Sequence, residues 1–247
     1  SSFKIAIPLW TKEKLFQRQL ILKHLFSIEK NSTLKDKLFF TDHHHSHAAS
    51  AFYPSPFKEA AVLTMDGVGE WATTSVYIGK NNSLELKKEI NFPHSLGLLY
   101  SAFTYFLGFK VNDGEYKIMG LAPYGQPKYK AIIKDYLIDI KKDGSFKLNQ
   151  KFFNYSTGLT MTNNRFEKLF KANVRKEKDN LEQKHMDIAA SVQSVIEDVI
   201  LSLTKNIFKE YGIKNLCLAG GVALNCVANG KILKQGYFKN LWIQPAA

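Results

Sequence analysis

The sequence predicts an α/β fold in which helices flank a mixed sheet. Three features carry this prediction. Residues 60–65 form the continuous apolar run of a buried strand, residues 187–211 place apolar side chains at steps of three and four, and residues 215–244 alternate strand, glycine turn, helix and strand. A unit of the last kind is typical of α/β proteins, which bind ligands at the carboxyl ends of their strands.

The first half of the chain is predicted to contain two helices and three strands that pair as hairpins, with one further short strand. The helices are ended by turn-forming residues or by Pro54, and the sheet strands are joined by glycine- or asparagine-rich turns. In chain order, these elements are a helix at 11–28, a short strand at 37–40, a helix at 43–53, strands at 60–65, 73–79 and 84–90, and a turn at 66–69.

The second half is predicted to be mainly helical before it returns to the sheet. Gly108 and Gly212 follow two amphipathic patterns as helix stops. In chain order, the elements are helices at 95–107 and 187–211, a strand at 215–219, a turn at 220–221, a helix at 224–234 and a strand at 240–244.

The net charge of +12 is unevenly distributed. Residues 124–184 hold 14 lysines and arginines against 7 acidic residues, so about a quarter of the chain carries +7 of the total. This basic segment also has weak hydrophobic periodicity and many turn formers. We interpret it as a solvated insertion; a site for an anionic ligand, such as a nucleotide or acyl phosphate, and RNA binding are the alternatives.

Composition indicates a globular protein with a sizeable core, since 45% of the 247 residues are hydrophobic and 13% are aromatic. No run approaches the roughly 20 apolar residues that cross a bilayer, and Ser1–Lys4 lacks the features of a signal peptide. We therefore expect a cytoplasmic protein with no membrane partner. Cys217 and Cys226 lack the spacing of a zinc site or disulfide scaffold and are interpreted as reduced core residues.

Four of the seven histidines lie within residues 43–47. On a helix capped by Asp42, His43 and His47 are four residues apart on one face, where their imidazoles can converge on one cation. Histidine-rich stretches also occur as solvated surface or hydrogen-bonded core, so spacing alone leaves the metal interpretation open. The small residues Ala48 and Ala49 that follow favour a close-packed site.

Asp66, Gly67 and Gly69, with Thr73 shortly after them, are candidates for a phosphate or metal-phosphate loop. Glycines let a backbone approach a ligand, a carboxylate can hold a cation, and hydroxyls can bond phosphate oxygens. A plain β-turn with an acidic residue is the alternative for so short a pattern.

Gly220 and Gly221 form a stronger signal, because they join a predicted strand to a predicted helix. A double glycine in this position lets the base, sugar or phosphate of a nucleotide lie against bare backbone. The pattern is not a dinucleotide fingerprint, since the third glycine is missing.

Taken together and in this order, these motifs resemble those of the O-carbamoyltransferases that modify antibiotics and nodulation factors. That family lies within the nucleotide-binding superfamily of actin, Hsp70 chaperones and sugar kinases, which implies a ribonuclease H-like fold here. The resemblance runs from about His43 to Ala247 and is least specific in the basic segment. The stretches that carry it are residues 43–57, 64–74, 92–100, 114–125 and 218–225, which read HHHSHAASAFYPSPF, TMDGVGEWATT, FPHSLGLLY, GEYKIMGLAPYG and LAGGVALN.

The resemblance implies a reaction and a metal. In the family, an appended YrdC-like domain makes carbamoyl-adenylate from ATP and carbamoyl phosphate, and the domain seen here moves the carbamoyl group to a hydroxyl of a small molecule or sugar. His43 and His47 would bind a divalent metal, iron(II) as in the related tRNA threonylcarbamoyl transferases, that holds and polarises the carbamoyl-adenylate. Asp66 and Gly67 would face phosphate and metal.

The resemblance also assigns the remaining site residues. Gly220, Gly221 and Asn225 would face the nucleoside. Glu115 and Lys117 are candidates for the acceptor or carbamoyl pocket, although two charges in an apolar setting can equally form a structural ion pair.

Both ends of the sequence depart from the family pattern. We divide the chain into a first-lobe fragment at 1–122, the basic insertion at 123–185 and a second-lobe fragment at 186–247. Nothing before Lys37 matches the strand and first phosphate loop with which family members begin. Past Gln244 they continue into a glycine and an aspartate that is the third metal ligand. We therefore expect a partial sequence that, without that aspartate and the YrdC-like domain, does not complete carbamoyl transfer alone.

Two other functions stay open. A tRNA threonylcarbamoyl transferase shares the histidine pair and suits the basic charge, but residues 92–100 and 114–124 fit it less well. A non-catalytic nucleotide-binding or assembly module would keep the fold without the chemistry. The O-carbamoyltransferase hypothesis leads because it explains the order of the motifs, and we do not expect a nucleic-acid partner.

Overall fold

The computed structural model describes residues 2–29 and 32–246 and confirms the α/β class. The helices are α1 (Ser2–Lys12), α2 (Gln17–Ile28), α3 (His43–Phe52), α4 (Leu96–Phe106), α5 (Glu115–Leu121), α6 (Lys130–Ile132), α7 (Asn164–Phe170), α8 (Gln183–Tyr211) and α9 (Cys226–Gln235). The strands are β1 (Glu59–Gly69), β2 (Ala72–Lys80), β3 (Ser83–Asn91), β4 (Ile138–Ile140), β5 (Phe146–Leu148), β6 (Asn215–Ala219) and β7 (Asn240–Ile243).

The main sheet has five strands in the order β3-β2-β1-β6-β7. β1, β2 and β3 are antiparallel neighbours, whereas β6 and β7 continue the sheet parallel to β1. In the parallel pair, Ala61 lies opposite Leu216 and Thr64 lies opposite Ala219. The residues that follow Thr64 and Ala219 therefore meet at one edge of the sheet. The strands assigned to both predicted lobes lie in this one sheet, and the domain boundaries stay a prediction.

Helices cover both faces of the main sheet. Side chains of β1 alternate between the faces, as the pleat of a strand requires. Leu63 and Met65 pack into the larger core with α4 and α8, whereas Val62 packs against Ala48 and Ala51 of α3. Because these alanines are small, α3 lies close to the sheet, and its first turn reaches the edge where β1 and β6 end.

Most predicted elements are present, but the prediction of an acidic turn at 66–69 is wrong. β1 continues through Gly69 with a bulge between Met65 and Gly69, and the chain reverses at residues 70–71. Glu70 adopts the left-handed conformation, with φ of 59°, at this reversal. The bulge keeps these residues in the sheet while it breaks the regular register, which re-aims the Asp66 side chain.

The N-terminal part differs from the prediction in two further ways. The predicted helix at 11–28 is interrupted, since α1 ends at Lys12 and α2 begins at Gln17. Residues 37–40 form no strand within the described part of the chain, and Phe39 and Phe40 are exposed. An apolar run without a neighbouring strand has no partner for its backbone hydrogen bonds, so propensity alone does not make it a strand.

The basic segment is folded and partly buried, so it is not solvated throughout; that it is an insertion stays a prediction. Phe166 and Phe170 of α7 are fully buried. The Phe166 ring packs edge-on against Phe103 and Phe106 of α4, with ring centroids 5.1 and 5.0 Å apart. The aromatic side chains of this segment thus extend the main core, while its lysines stay at the surface.

Asp187 of α8 ties the start of the basic segment to the core. Its side chain is almost fully buried and accepts hydrogen bonds from the Gln126 N–H at 2.9 Å and from Gln183 Nε2 at 2.9 Å, and it pairs with Lys128 Nζ at 2.7 Å. Burial alone would raise the pKa of Asp187, but these donors together outweigh burial and hold the pKa at about 2.

Two smaller expectations have separate outcomes. Cys217 is buried as predicted, whereas Cys226 is exposed because it is the first residue of α9.

Across residues 2–29 and 32–246, none of the helices combines the length and the apolar character that a membrane span requires.

Candidate functional site

Helix α3 brings two histidines together at the edge of the sheet. It begins at His43, and Asp42 before it has an extended backbone but makes no side-chain cap hydrogen bond. His43 and His47 are one turn apart, and their Nε2 atoms lie 3.0 Å from each other. The predicted convergence of the two imidazoles is therefore present.

His44 anchors this helix on its other side. Its Nδ1 atom hydrogen-bonds with Ser75 Oγ at 2.7 Å and with Thr64 Oγ1 at 3.0 Å, both on the sheet. Burial lowers the pKa of His44 to about 4, so its ring is neutral at pH 7. The side chain therefore fixes the rotation of α3 and, with it, the direction in which the other two imidazoles point.

Asp66 completes a cluster that we call the ligand triad: His43, His47 and Asp66. The bulge in β1 places Asp66 Oδ2 at 2.8 Å from His43 Nε2 and 3.2 Å from His47 Nε2, while Oδ1 accepts a hydrogen bond from the Gly67 N–H at 2.7 Å. Hydrogen bonds from His47 and His43 hold the pKa of Asp66 well below its usual range, although burial opposes them. The carboxylate is therefore ionised at any ordinary pH.

The ligand triad fits a divalent cation. Its three facing atoms lie 2.8 to 3.2 Å from one another. Metal bonds of about 2.1 Å set at right angles would separate neighbouring ligand atoms by about 3 Å. Two imidazoles and one carboxylate are also the ligand set of non-haem iron(II) sites, and zinc and manganese accept the same donors. Both the spacing and the chemistry of these donors are thus compatible with a divalent metal.

Gly69 lets the β1 bulge approach the histidines. A Cβ at this position would lie 2.4 Å from His43 Cδ2 and 2.6 Å from His44 Cδ2. Distances below about 3 Å are steric overlaps, so any side chain here would displace the imidazoles. The predicted role of Gly69 in a phosphate loop is untested; the structure gives it this packing role.

A cavity of about 410 Å³ opens beside the ligand triad. Its walls are the end of β1, helices α4 and α5, one side of α8 and the turn after β6. The residues that line it are Asp66, Gly67, Gly97, Tyr100, Ser101, Asn112, Asp113, Glu115, Tyr116, Met119, Ile196, Gly221, Val222, Leu224 and Asn225.

The double glycine after β6 faces Asp66. A Cβ on Gly221 would lie 3.5 Å from Asp66 Oδ1. Gly220 has φ of 85°, and a Cβ there would lie 2.3 Å from the Met65 carbonyl oxygen, so both conformation and space require glycine.

Five of the predicted site residues line this one cavity: Asp66, Gly67, Glu115, Gly221 and Asn225.

Glu115 is held in place by neutral donors. Its Oε1 atom accepts hydrogen bonds from Ser101 Oγ at 2.8 Å and from the Asn112 N–H at 3.0 Å. The predicted partner Lys117 is exposed instead, with Nζ over the Phe109 ring at 5.8 Å. Only one of these two predicted residues thus lines the cavity.

Thr73 lies away from the cavity, although it was a candidate phosphate ligand. Its hydroxyl is buried and hydrogen-bonds with the carbonyl oxygens of Ile90 at 2.9 Å and His94 at 2.5 Å. The hydroxyl therefore secures the β2–β3 hairpin and the start of α4.

Sequence reasoning missed Tyr100 of α4, which lines the cavity, and Gln193 of α8, which lies behind it. Tyr100 and Gln193 both sit among apolar residues at helical spacing, which predicts only a buried helix face. Tyr100 Oη donates to Gln193 Oε1 at 2.8 Å. A buried amide inside an otherwise apolar stripe was the one signal that could have pointed to this contact.

Comparisons with known proteins bear on this site. A family model described as "Carbamoyltransferase N-terminus" matches residues 1–247. Uncharacterized protein sll1178 of Synechocystis is 60% identical over 248 residues, which cover 100% of this chain and 40% of that protein. Nodulation protein NolNO of Sinorhizobium fredii is 34% identical over 250 residues, which cover 100% of this chain and 34% of that protein.

A tRNA N6-adenosine threonylcarbamoyltransferase of Lactiplantibacillus plantarum shows a shorter similarity, 51% identity over 39 residues, 16% of this chain and 11% of that enzyme. The chain spans two fifths or less of the length of these three relatives. The match of the family model over the whole chain, with the NolNO similarity over the same length, identifies the family. The chain belongs to the carbamoyltransferase N-terminus family.

Proposed function

We propose that this chain holds the metal and nucleoside part of the transfer site of an ATP-dependent O-carbamoyltransferase. One observation carries the proposal: three potential metal ligands meet beside Gly221, and one of them, Asp66, lines a cavity of about 410 Å³. The proposed cation site would thus share one edge of the sheet with the bare backbone of a strand-glycine-helix turn. Family membership supplies the reaction class, which is carbamoyl transfer.

The fold proposed for this function is that of actin, Hsp70 chaperones and sugar kinases. Its support is the main sheet, in which three antiparallel strands are followed by two parallel strands, with helices on both faces. This arrangement suits the ribonuclease H-like core that the resemblance implies.

The proposed carbamoyl donor is carbamoyl-adenylate, made from carbamoyl phosphate and ATP by a YrdC-like domain of the same polypeptide. The relatives support a further domain, since 60% or more of sll1178 and NolNO lies outside the matched region. The cavity volume is within the range of about 300 to 1,000 Å³ that small-molecule sites occupy, which suits an adenylate. The proposed acceptor is a small hydroxylated molecule or sugar.

Each side chain at the site has a proposed task. The ligand triad would hold a divalent cation, iron(II) first, and when bound this cation would polarise the carbamoyl carbonyl. Gly221 and Asn225 would contact the nucleoside. Glu115 presents a carboxylate fixed by two donors and is our candidate to orient the acceptor hydroxyl as its oxygen attacks the carbamoyl carbon and AMP leaves. Lys117 receives no role here.

The proposal is tested with the full-length protein, carbamoyl phosphate, ATP, iron(II) and a panel of small hydroxylated acceptors. We expect AMP release that requires both carbamoyl phosphate and an acceptor, together with transfer of carbon-14 from carbamoyl phosphate to the acceptor. Replacement of His43 and His47 by alanine should abolish the transfer. A full-length protein that binds neither nucleotide nor divalent cation would contradict the proposal.

A tRNA-directed activity is the second candidate, and two observations weigh against it. The similarity to the tRNA-modifying enzyme covers only 16% of the chain. In addition, Lys128, Lys130 and Lys134 of the basic segment pair with Asp187 or Asp198, which lowers the charge available for phosphate contacts. Turnover that depends on tRNA would favour this candidate, and nucleotide binding without turnover in any assay would favour a non-catalytic module.

A further inference from the structure

A buried hydrogen-bond network lies behind one wall of the cavity. We call it the amide network: Tyr100 of α4, Gln193 and Glu197 of α8, and Asn225 at the start of α9. These four residues are 8%, 5%, 5% and 9% exposed, among the apolar side chains of the main core. Buried polar groups are costly unless they are fully paired, so the pairing of each atom is informative.

Gln193 is the centre of the network and uses its whole hydrogen-bonding capacity. Its Oε1 atom accepts from Tyr100 Oη at 2.8 Å and from Asn225 Nδ2 at 3.1 Å. Its Nε2 atom donates to Glu197 Oε1 at 2.9 Å and to Asn225 Oδ1 at 3.0 Å. Two donors and two acceptors are all that a carboxamide offers, so nothing in this side chain remains free for a ligand.

The orientation of the two amides is set from both ends of the network. At one end, Glu197 also pairs with Lys231, and a carboxylate so paired only accepts hydrogen bonds, which directs Gln193 Nε2 toward it. At the other end, the Ala228 N–H donates to Asn225 Oδ1 at 3.1 Å as a helix cap. If the amide of either residue were flipped, its NH₂ group would face a donor and its oxygen would face an acceptor. The contacts at both ends of the network therefore require the same orientation of the two amides.

One donor is left over, and it belongs to Asn225. Asn225 Oδ1 already accepts twice, while Nδ2 donates once, to Gln193. Among residues 2–29 and 32–246, no partner takes the second N–H of Nδ2. Asn225 lines the cavity, whereas Gln193 and Glu197 do not. The network therefore converts a flexible amide into a single donor of fixed direction at the cavity wall.

We propose that Gln193 is a positioning residue, which aims the second N–H of Asn225 at an acceptor atom of the nucleoside in the cavity. The inference rests on the proposed function. It adds Gln193, which does not itself touch the substrate. The second N–H of Asn225 would favour a ligand that carries a hydrogen-bond acceptor at this point, such as a ring nitrogen or a ribose oxygen. Fixing the donor before binding removes the entropic cost of ordering it in the complex.

The test measures AMP binding to the protein by calorimetry. Gln193→Met keeps the length of the side chain and removes its amide, and we expect AMP affinity to fall about tenfold or more. Thr204→Val is the matched control, because Thr204 is also buried on α8 and, within the described part of the chain, its hydroxyl bonds only to α8 backbone. This control should leave AMP affinity unchanged.

A double-mutant cycle separates positioning from general damage. Asn225→Ser keeps a capping oxygen for α9 but removes the amide. If Gln193 acts through Asn225, adding Gln193→Met to Asn225→Ser should change AMP affinity less than twofold. The same tenfold loss in both backgrounds, or no loss from Gln193→Met in a folded protein, would overturn the inference. A wild-type protein that does not bind AMP would instead defeat the proposed function.

A second measurement needs no variant and decides whether the network exists. In nitrogen-15 spectra of the wild-type protein, the two Nε2 protons of Gln193 and the Nδ2 proton that Asn225 donates to Gln193 should exchange far more slowly than the side-chain protons of exposed amides such as Asn82. Exchange of these protons at the rate of exposed amides would show that the network is open, and the positioning role would fall with it.

Discussion

Two polar clusters border the same cavity, and they are built in opposite ways. The ligand triad is partly exposed, with side-chain exposures of 43%, 21% and 22%, and its three facing atoms lie 2.8 to 3.2 Å from one another. The amide network is buried, and Gln193 at its centre has every donor and acceptor paired. The difference teaches that the exposed cluster has the form of a ligand site, whereas the buried cluster finds its hydrogen-bond partners within the chain.

The largest effect, on metal affinity, is expected from variants that remove one side chain of the ligand triad. His43→Ala, His47→Ala or Asp66→Asn removes one of the three proposed metal donors, so we expect the affinity for iron(II) or zinc to fall by at least about 100-fold. Metal content after reconstitution, measured by mass spectrometry, and competition with a chelating dye provide the measurements.

His45→Ala is the matched control for this prediction. His45 lies on the same helix and stacks edge-on against Tyr77, with ring centroids 5.8 Å apart, away from the triad. Its metal affinity should equal that of the wild type. Equal losses in His45→Ala and His47→Ala would mean that metal binds to the histidine-rich stretch without selecting the triad.

A smaller effect is expected from Gly69→Ala, which alters the triad without touching a donor atom. The new Cβ would overlap His43 and His44, so we expect a loss of about 1 to 3 kcal/mol in unfolding free energy and a weaker metal site. Gly67→Ala is the control, because a Cβ there meets nothing within 4 Å. Urea unfolding and metal titration of both variants test the prediction, and equal behaviour of the two would contradict it.

The smallest effect concerns Asp187, a carboxylate that lies outside the ligand triad and accepts from Gln126, Gln183 and Lys128. The pKa of Asp187 is about 2 in the folded protein and 3.8 in the reference state. Its lowered pKa stabilises the fold above the reference value, and this contribution is lost as the pH falls through the folded value. Asp187→Asn should therefore cost on the order of 2 kcal/mol at pH 7.

The difference in unfolding free energy between the wild type and Asp187→Asn should shrink as the pH falls from about 4 to about 2. Asp139→Asn is the control, since Asp139 is 59% exposed and, among the residues that the structure describes, pairs only with the equally exposed Lys141. Metal affinity should be unchanged in both variants. A difference that stays constant down to pH 2 would show that Asp187 is not held by these donors.

Sequence reasoning predicted the parts of this molecule that depend on local spacing. The i, i+4 step of His43 and His47 is a property of one helix, and the double glycine is a property of one turn, so both were found from residue order. The approach of Asp66 to the histidines depends on how α3 packs against β1, and no local pattern encodes that packing. The bulge that re-aims Asp66 was predicted as a turn, because aspartate and glycine favour both structures.

Charges and buried amides were the least predictable features. Glu115 and Lys117 are two residues apart in the short helix α5, and side chains at this spacing point in different directions, which sends one to the cavity and the other to solvent. Gln193 matched the pattern of a polar interruption in a buried helix face, and its partners on α4 and α9 are 93 and 32 residues away.

The central claim is that His43, His47 and Asp66 bind one divalent cation beside the nucleoside cavity. Its most direct test is a crystal structure of the metal-loaded protein with anomalous diffraction recorded at the metal edge. We expect one peak within about 2.3 Å of His43 Nε2, His47 Nε2 and Asp66 Oδ2. A stoichiometric metal bound elsewhere, or a peak that touches only one of these side chains, would contradict the account.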